Sequence, residues 1–374
     1  MKKITFLLFT AISIVANGQS SVFNYSEKAT FWGYIQSDGT KITSSDYKQI
    51  SDFSSDGYGS FINPSTKEAV LINSKGEIIE LGIKGIIDIE YIGETEKNIS
   101  LKTAIIRVGK KFGICSLEGK MIHPLEYDKI KSTNGPISIG YKGKAVYFLT
   151  SEGASIALDA SIIEVRNFSE GLAPFVNSAK KMGFVDQQGK IIVEASYFSV
   201  GYFSAGLAWV KPEEKKVGFI DKTGKIVINA NYTMAKDFDV LSKRTLVSKG
   251  ELDLYITPTG EEINVEGATK LGIFENGFAY AFKGDKVGFV NPSGKWIVEP
   301  IYNKVHHFNE GLARVRLGTL WGFVDTQGKV IIEPQFDDLA DFKNGFAPAK
   351  KGEFWGIIDK SGKFVVEPQY LKVK

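Results

Sequence analysis

Trp321-Gly322-Phe323-Val324-Asp325-Thr326-Gln327-Gly328-Lys329-Val330-Ile331-Ile332-Glu333-Pro334-Gln335-Phe336 is the stretch on which the fold turns. It reads as a strand, a tight turn and a second strand. Asp325 stands three residues before Gly328, where a short polar side chain can bond the turn backbone and glycine accepts a positive φ. The run Val330–Ile332 is apolar and β-branched, as a buried strand requires. Pro334 lacks a backbone donor and so belongs at a strand end or edge.

The same phrase recurs along the chain. Gly33, Gly113, Gly183, Gly218, Gly288, Gly322 and Gly356 each open a short apolar run, and Gly39, Gly119, Gly189, Gly224, Gly294, Gly328 and Gly362 follow them by six residues. Degenerate copies begin near Val70, Ala145 and Asp253. Asp186, Asp221, Asn291, Asp359, Asn73, Ser116, Thr150 and Thr257 hold the place of Asp325. A third glycine (Gly206, Gly277, Gly311, Gly345) comes 17 residues after the turn glycine, each with a phenylalanine three residues before it. A third strand such as Leu312–Arg316 follows. Helical 3.6 periodicity of useful length is absent. The reading is an all-β tandem array of about ten three-stranded units of 34–35 residues, loose over 31–165 and regular over 166–374.

Trp321-Gly322-Phe323-Val324-Asp325, Trp355-Gly356-Ile357-Ile358-Asp359 and Phe31-Trp32-Gly33-Tyr34-Ile35, with the Asp-x-x-Gly-Lys turn, resemble the WG repeat family of bacterial proteins. The Glu-Pro-x-Tyr/Phe and Phe-x-x-Gly elements are similar to that family's pattern. The resemblance runs over residues 31–374 and implies repeat arrays, often exported, with no catalytic motif to carry over. Phe112, Met182, Val217 and Val287 replace the tryptophan in other copies, so that position reads as an apolar packing slot.

Two arrangements satisfy such an array. Propeller blades usually carry four strands and number 4–8. Ten three-stranded units that begin near Trp32 and end near Tyr370 leave one blade without its third strand. An open, curved, solenoid-like array is therefore the expected form, and a β-propeller-like ring is the alternative.

Residues 1–18 read as a signal peptide. Lys2 and Lys3 precede the apolar run Ile4–Ala16, and Ala16-Asn17-Gly18 supplies small residues before a cleavage ahead of Gln19. The run is too short to span a bilayer, and no later stretch reaches ~20 apolar residues. The mature array, 19–374, is expected outside the cytoplasm, periplasmic or secreted, with no transmembrane segment. Without Lys2 and Lys3 it carries 44 basic against 43 acidic residues, which gives no electrostatic case for nucleic acid.

Chemistry is sparse. The sole cysteine, Cys115, sits where other units have valine and reads as a buried apolar residue. Turn aspartates supply about one carboxylate each, too few for calcium, and His306-His307 point to opposite faces of a strand. Glu299, Glu333 and Glu367 recur at one repeat position and read as solvated strand ends. No catalytic, metal or cofactor site is expected, and the chain is read as a non-enzyme. The expected function is an interaction module for an extended protein or polysaccharide partner, with a structural spacer as the alternative. Trp209 and Trp296 break their local pattern. The candidate binding residues are cations at equivalent hairpin tips: Lys181, Lys216, Lys286, Arg316 and Lys351.

Overall fold

The computed structural model describes residues 22–374 apart from 29, 49, 54–57, 64, 67–68, 80–87, 93–102, 117–119 and 134–135. The signal segment 1–18 and the turn glycine Gly119 lie outside the described residues. Within them the chain is all-β and forms ten small sheets, numbered here as blades 1 to 10 in chain order.

Blade 9 shows the pattern. Its strands Lys304–Val305, Leu312–Leu317, Leu320–Asp325 and Val330–Phe336 pair in that order as an antiparallel meander. The sequence units were read as three-stranded. A fourth strand exists because the chain after Phe336 pairs two more residues, Asp338–Leu339, into the next sheet. Two residues carry no periodicity, so this strand was invisible to pattern reading.

The preferred open array gives way to the ring. Lys372–Val373 pairs with Val22–Lys28, which pairs with Phe31–Gln36, so blade 1 is built from both termini. Asn24 and Lys374 exchange two backbone hydrogen bonds, at 2.8 and 2.9 Å. Val22–Lys28 is the strand that seemed to be missing. It carries no Phe-x-x-Gly landmark and was not recognisable as part of a unit.

Each core lies between neighbouring blades. Phe323, Ile332 and Phe336 of blade 9 pack on Leu339, Phe342, Ala347 and Ala349 of blade 10, large side chains against small. Blade 10 closes the ring in the same way, with Ile357, Val366 and Tyr370 against Phe23, Tyr25 and Ile35 of blade 1. The recurring phenylalanine has one kind of partner in common, to which Phe308 adds Phe278. It meets the aromatic ring of strand three in the preceding blade: Phe184–Phe203, Phe219–Phe238, Tyr255–Phe274, Phe289–Phe308 and Phe323–Phe342, with centroids 4.6–5.2 Å apart.

The glycine after the tryptophan slot has a steric cause, not a dihedral one. A Cβ at Gly322 would overlap the Ile332 carbonyl oxygen and sit 2.7 Å from the Pro334 nitrogen. The strand pairing slips at this point, between Trp321 and Phe323, so the proline falls in a bulge where no donor is needed.

Candidate functional site

An antiparallel meander puts the connections one-to-two and three-to-four on one face of the ring. Connections two-to-three and blade-to-blade lie on the other. These two faces and the inner edge are the surfaces available.

On the first face, the strand three-to-four turns behave as the sequence demands. Asp325 Oδ1 accepts from Gln327 N and Lys329 N at 2.9 Å each, and Gly328 has φ 84°. Asp221 and Asp359 do the same and are held below the usual carboxylate range chiefly by Thr223 and Ser361. In blades 5, 6, 8, 9 and 10 the one-to-two connection ends in a two-residue turn with both φ positive, such as Glu310 at 49° and Gly311 at 80°. They also lock blade to blade. Ser169 Oγ donates to Phe203 O at 2.6 Å, Asn276 Nδ2 to Phe308 O at 2.8 Å and Asn309 Nδ2 to Phe342 O at 2.9 Å. The Glu310 carboxylate accepts from Asn344 N and Gly345 N and pairs with Lys360 at 3.1 Å. Burial works to raise its pKa, and these bonds outweigh burial and hold it low.

Those locks reveal which edge faces the axis. Stacked sheets normally lie ~10 Å apart, too far for one serine to bridge equivalent turns, so the blades converge at strand one. With ten blades at that mean spacing and strands ~4.8 Å apart, the first strands lie roughly 9 Å from the axis.

The opposite face carries the tip cations Lys181, Lys216, Lys286, Arg316 and Lys351. Lys216 pairs with Glu213 at 2.8 Å, and Lys286 approaches Asp285 at 3.9 Å. Lys181 Nζ lies 3.2 Å from the centroid of Phe198, and the Arg316 guanidinium lies 5.7 Å from that of Trp321. Lys351 is exposed at the end of strand two in blade 10. Other tip lysines are matched by carboxylates: Lys111 by Asp128, Lys142 by Glu126 and Lys249 by Glu262, at 2.6–2.9 Å. The tips themselves are tied down. Gly143, Gly318 and Gly352 donate to Asp128, Asn303 and Asp337 at 2.7–2.8 Å.

The remaining singled-out residues have packing roles. Trp296 Nε1 donates to Glu266 O at 3.1 Å. Trp209 packs on the core between blades 6 and 7, over Gly201, where any Cβ would strike its indole. Tyr280 meets His307 across the interface of blades 8 and 9, and Arg314 clasps Asp341 at 2.6 and 3.1 Å across that of blades 9 and 10. Trp209, Tyr280 and Arg314 share one repeat position, a pattern the sequence reading missed. Cys115 is fully buried and its thiol is pushed up to about 11 by burial, so it is inert. His123 is buried between blades 3 and 4, with Nε2 2.7 Å from Thr150 O. Glu299, Glu333 and Glu367 are exposed. Among the described residues no three His, Cys, Asp or Glu side chains gather as a metal site, and no helix is long and apolar enough to cross a membrane.

A ten-bladed β-propeller made from one repeated unit is the class that this fold defines. The chain is a WG-repeat protein: the model of the WG containing repeat matches residues 32–61, 182–215, 218–250, 288–319, 321–353 and 355–373. No curated protein matches it in sequence. Among solved structures it is similar to a eukaryotic initiation factor, with 10% identity, 95% of this chain and 97% of that chain covered and a TM-score of 0.53. BamB from Moraxella catarrhalis aligns at 12% identity over 69% of this chain and 91% of that one, with a TM-score of 0.36. AztD from Citrobacter koseri aligns at 13% over 84% and 95%, with the same score. At these identities the first comparison speaks for the fold alone.

Proposed function

We propose that this protein is an exported, non-catalytic interaction module for an extended envelope or extracellular partner. One observation carries the reading: both faces of the ring consist of equivalent turns that are locked to their neighbours. Side chains displayed on them are held in fixed rows before any partner arrives, which lowers the entropy lost on binding. The most conspicuous polar groups, Asp325, Glu310, Asp341 and His123, are engaged in those locks and not in an open cleft. Export is supported by Lys2-Lys3 followed by the apolar run Ile4–Ala16. Lys181, Lys216, Lys286, Arg316 and Lys351 offer the partner a row of cations on one face.

The test is a glycan and peptide array probed with the protein from Gln19, with hits checked by thermal stabilisation. A ligand that binds the folded ring raises its melting temperature, by an amount that grows with the logarithm of ligand concentration over Kd. Reproducible stabilisation is expected. A clean blank on both arrays would favour a structural spacer instead, and turnover of an array glycan would overturn the non-catalytic reading.

A further inference from the structure

A second set of lysines lies on the inner edge, at the first position of strand one: Lys129, Lys270, Lys304 and Lys372. All four are exposed. Three stand over an aromatic ring of the same blade, Lys129 5.8 Å from Tyr141, Lys270 5.7 Å from Phe282 and Lys304 5.7 Å from Trp321. Among the described residues none of the four has an ion-pair partner, in contrast to the carboxylate-matched tip lysines Lys111, Lys142, Lys216 and Lys249. Those four tip lysines are compensated and the four on the inner edge are not.

Two further cationic side chains lie close to these lysines. Lys131, on the same strand as Lys129, has its pKa lowered by burial and then by Lys129 and Arg166, although Glu164 opposes this. The Arg316 Nε, on the strand paired with Lys304, is buried without a hydrogen-bond partner. The acidic residues on equivalent strands are Asp88, Glu90, Glu164, Glu275 and Asp338.

Strand one is also the sheet edge, so its outward N–H and C=O groups have no partner strand, although Arg166, Tyr255 and Arg314 of the preceding blades donate to the Val200, Gly272 and Leu339 carbonyls. Most of these edges are only two or three residues long, as at Lys304–Val305 and Lys372–Val373. That is too short to add a peptide strand, but it suits hydroxyls, which can both donate and accept. Ammonium groups beside free backbone donors and acceptors match a polymer that carries both carboxylates and hydroxyls.

We propose that the axial opening is the binding site for an anionic, uronic-acid-type polysaccharide, gripped by Lys129, Lys270, Lys304 and Lys372. This rests on the interaction-module reading and names its ligand class and site. An inner radius of roughly 9 Å to the backbone leaves room for one extended glycan chain once the lysines reach inward.

The test is calorimetric titration of the protein from Gln19 with an alginate oligosaccharide, a neutral dextran oligosaccharide and polyglutamate, over a salt series. Alginate is expected to bind, with affinity falling steeply as salt rises, because charges are screened over ~8–10 Å near physiological ionic strength. Replacing Lys129, Lys270, Lys304 and Lys372 together by glutamine should weaken alginate binding by about tenfold or more and flatten the salt dependence. The arginine version of the same four should restore it, which separates lost charge from lost structure. Replacing Lys111, Lys142 and Lys249 by glutamine should change affinity by less than about threefold, because those charges are already compensated. Wild-type binding of the inner variant, equal loss in the tip variant, tighter binding of polyglutamate, or no alginate binding would each overturn the site. An array ligand that stabilises wild type and inner variant equally would sink the site while leaving the interaction module standing.

Discussion

Gly322 and Gly328 stand six residues apart and are required for different reasons. Gly328 has φ 84° and its missing Cβ leaves room for the Ile297 carbonyl of the blade before. Gly322 has ordinary dihedrals but abuts the opposing strand. Gly328→Val should therefore lower stability by at least about 1–2 kcal/mol, while exposed Lys329→Ala should be nearly silent. Thermal melts of the two variants check this, and equal melting temperatures would refute the turn assignment. Glu310 gives a pH signature. Its folded pKa lies below the ordinary 4.5, so its contribution is fully present above that value and is lost as pH falls through the lowered one. Glu310→Ala should melt below wild type at pH 7, and the gap should close as the solution is acidified past the ordinary value. A gap that persists unchanged in acid would contradict the role given to the carboxylate. The turn aspartates were legible in the sequence because both bonding partners lie within four residues. Glu310 was not, because its partners Asn344 and Gly345 belong to the next copy and nothing local marks the bond.

At the scale of the element, the unit that recurs is the interface and not the sheet. Phe342 follows strand one of blade 10 in sequence, yet its ring completes the packing of Phe323 in blade 9. Such aromatic pairs contribute about 0.5–1.5 kcal/mol beyond the area they bury. A double-mutant cycle with Phe323→Leu and Phe342→Leu should return a coupling energy in that range, whereas strictly additive losses would mean that the rings do not act as a pair. Strands two to four were readable from β-branched runs and turn signals. Strand one was not, and with it went the inner edge. Lys129, Lys304 and Lys372 sit in two- or three-residue strands and Lys270 at the head of a degenerate one, so no sequence pattern marks them. Only the ion pairs, which need the fold, separate the compensated cations from the free ones.

For the whole molecule, the question of open array or ring is decided by a few residues at each end. The terminal strand Lys372–Val373 supplies what is missing from blade 1, and Tyr370 packs on Tyr25 with centroids 5.1 Å apart. Closure gives every blade two neighbours, whereas an open array of the same units would leave two core faces in water. Removing residues 371–374 should lower the melting temperature and expose the Val22–Gln36 segment to protease before any other blade. A truncated chain that melts and digests like wild type would show that the seam carries no weight. The seam can be tested directly by disulfide trapping. Ser26 and Lys372 are cross-strand partners, within the reach of a disulfide. With Cys115→Ala to remove the native thiol, Ser26→Cys and Lys372→Cys should form an intramolecular disulfide on mild oxidation of the folded monomer, and that bond should raise the melting temperature. Recovery of free thiols alone, or of intermolecular dimers in place of the internal bridge, would contradict the closed ten-bladed ring.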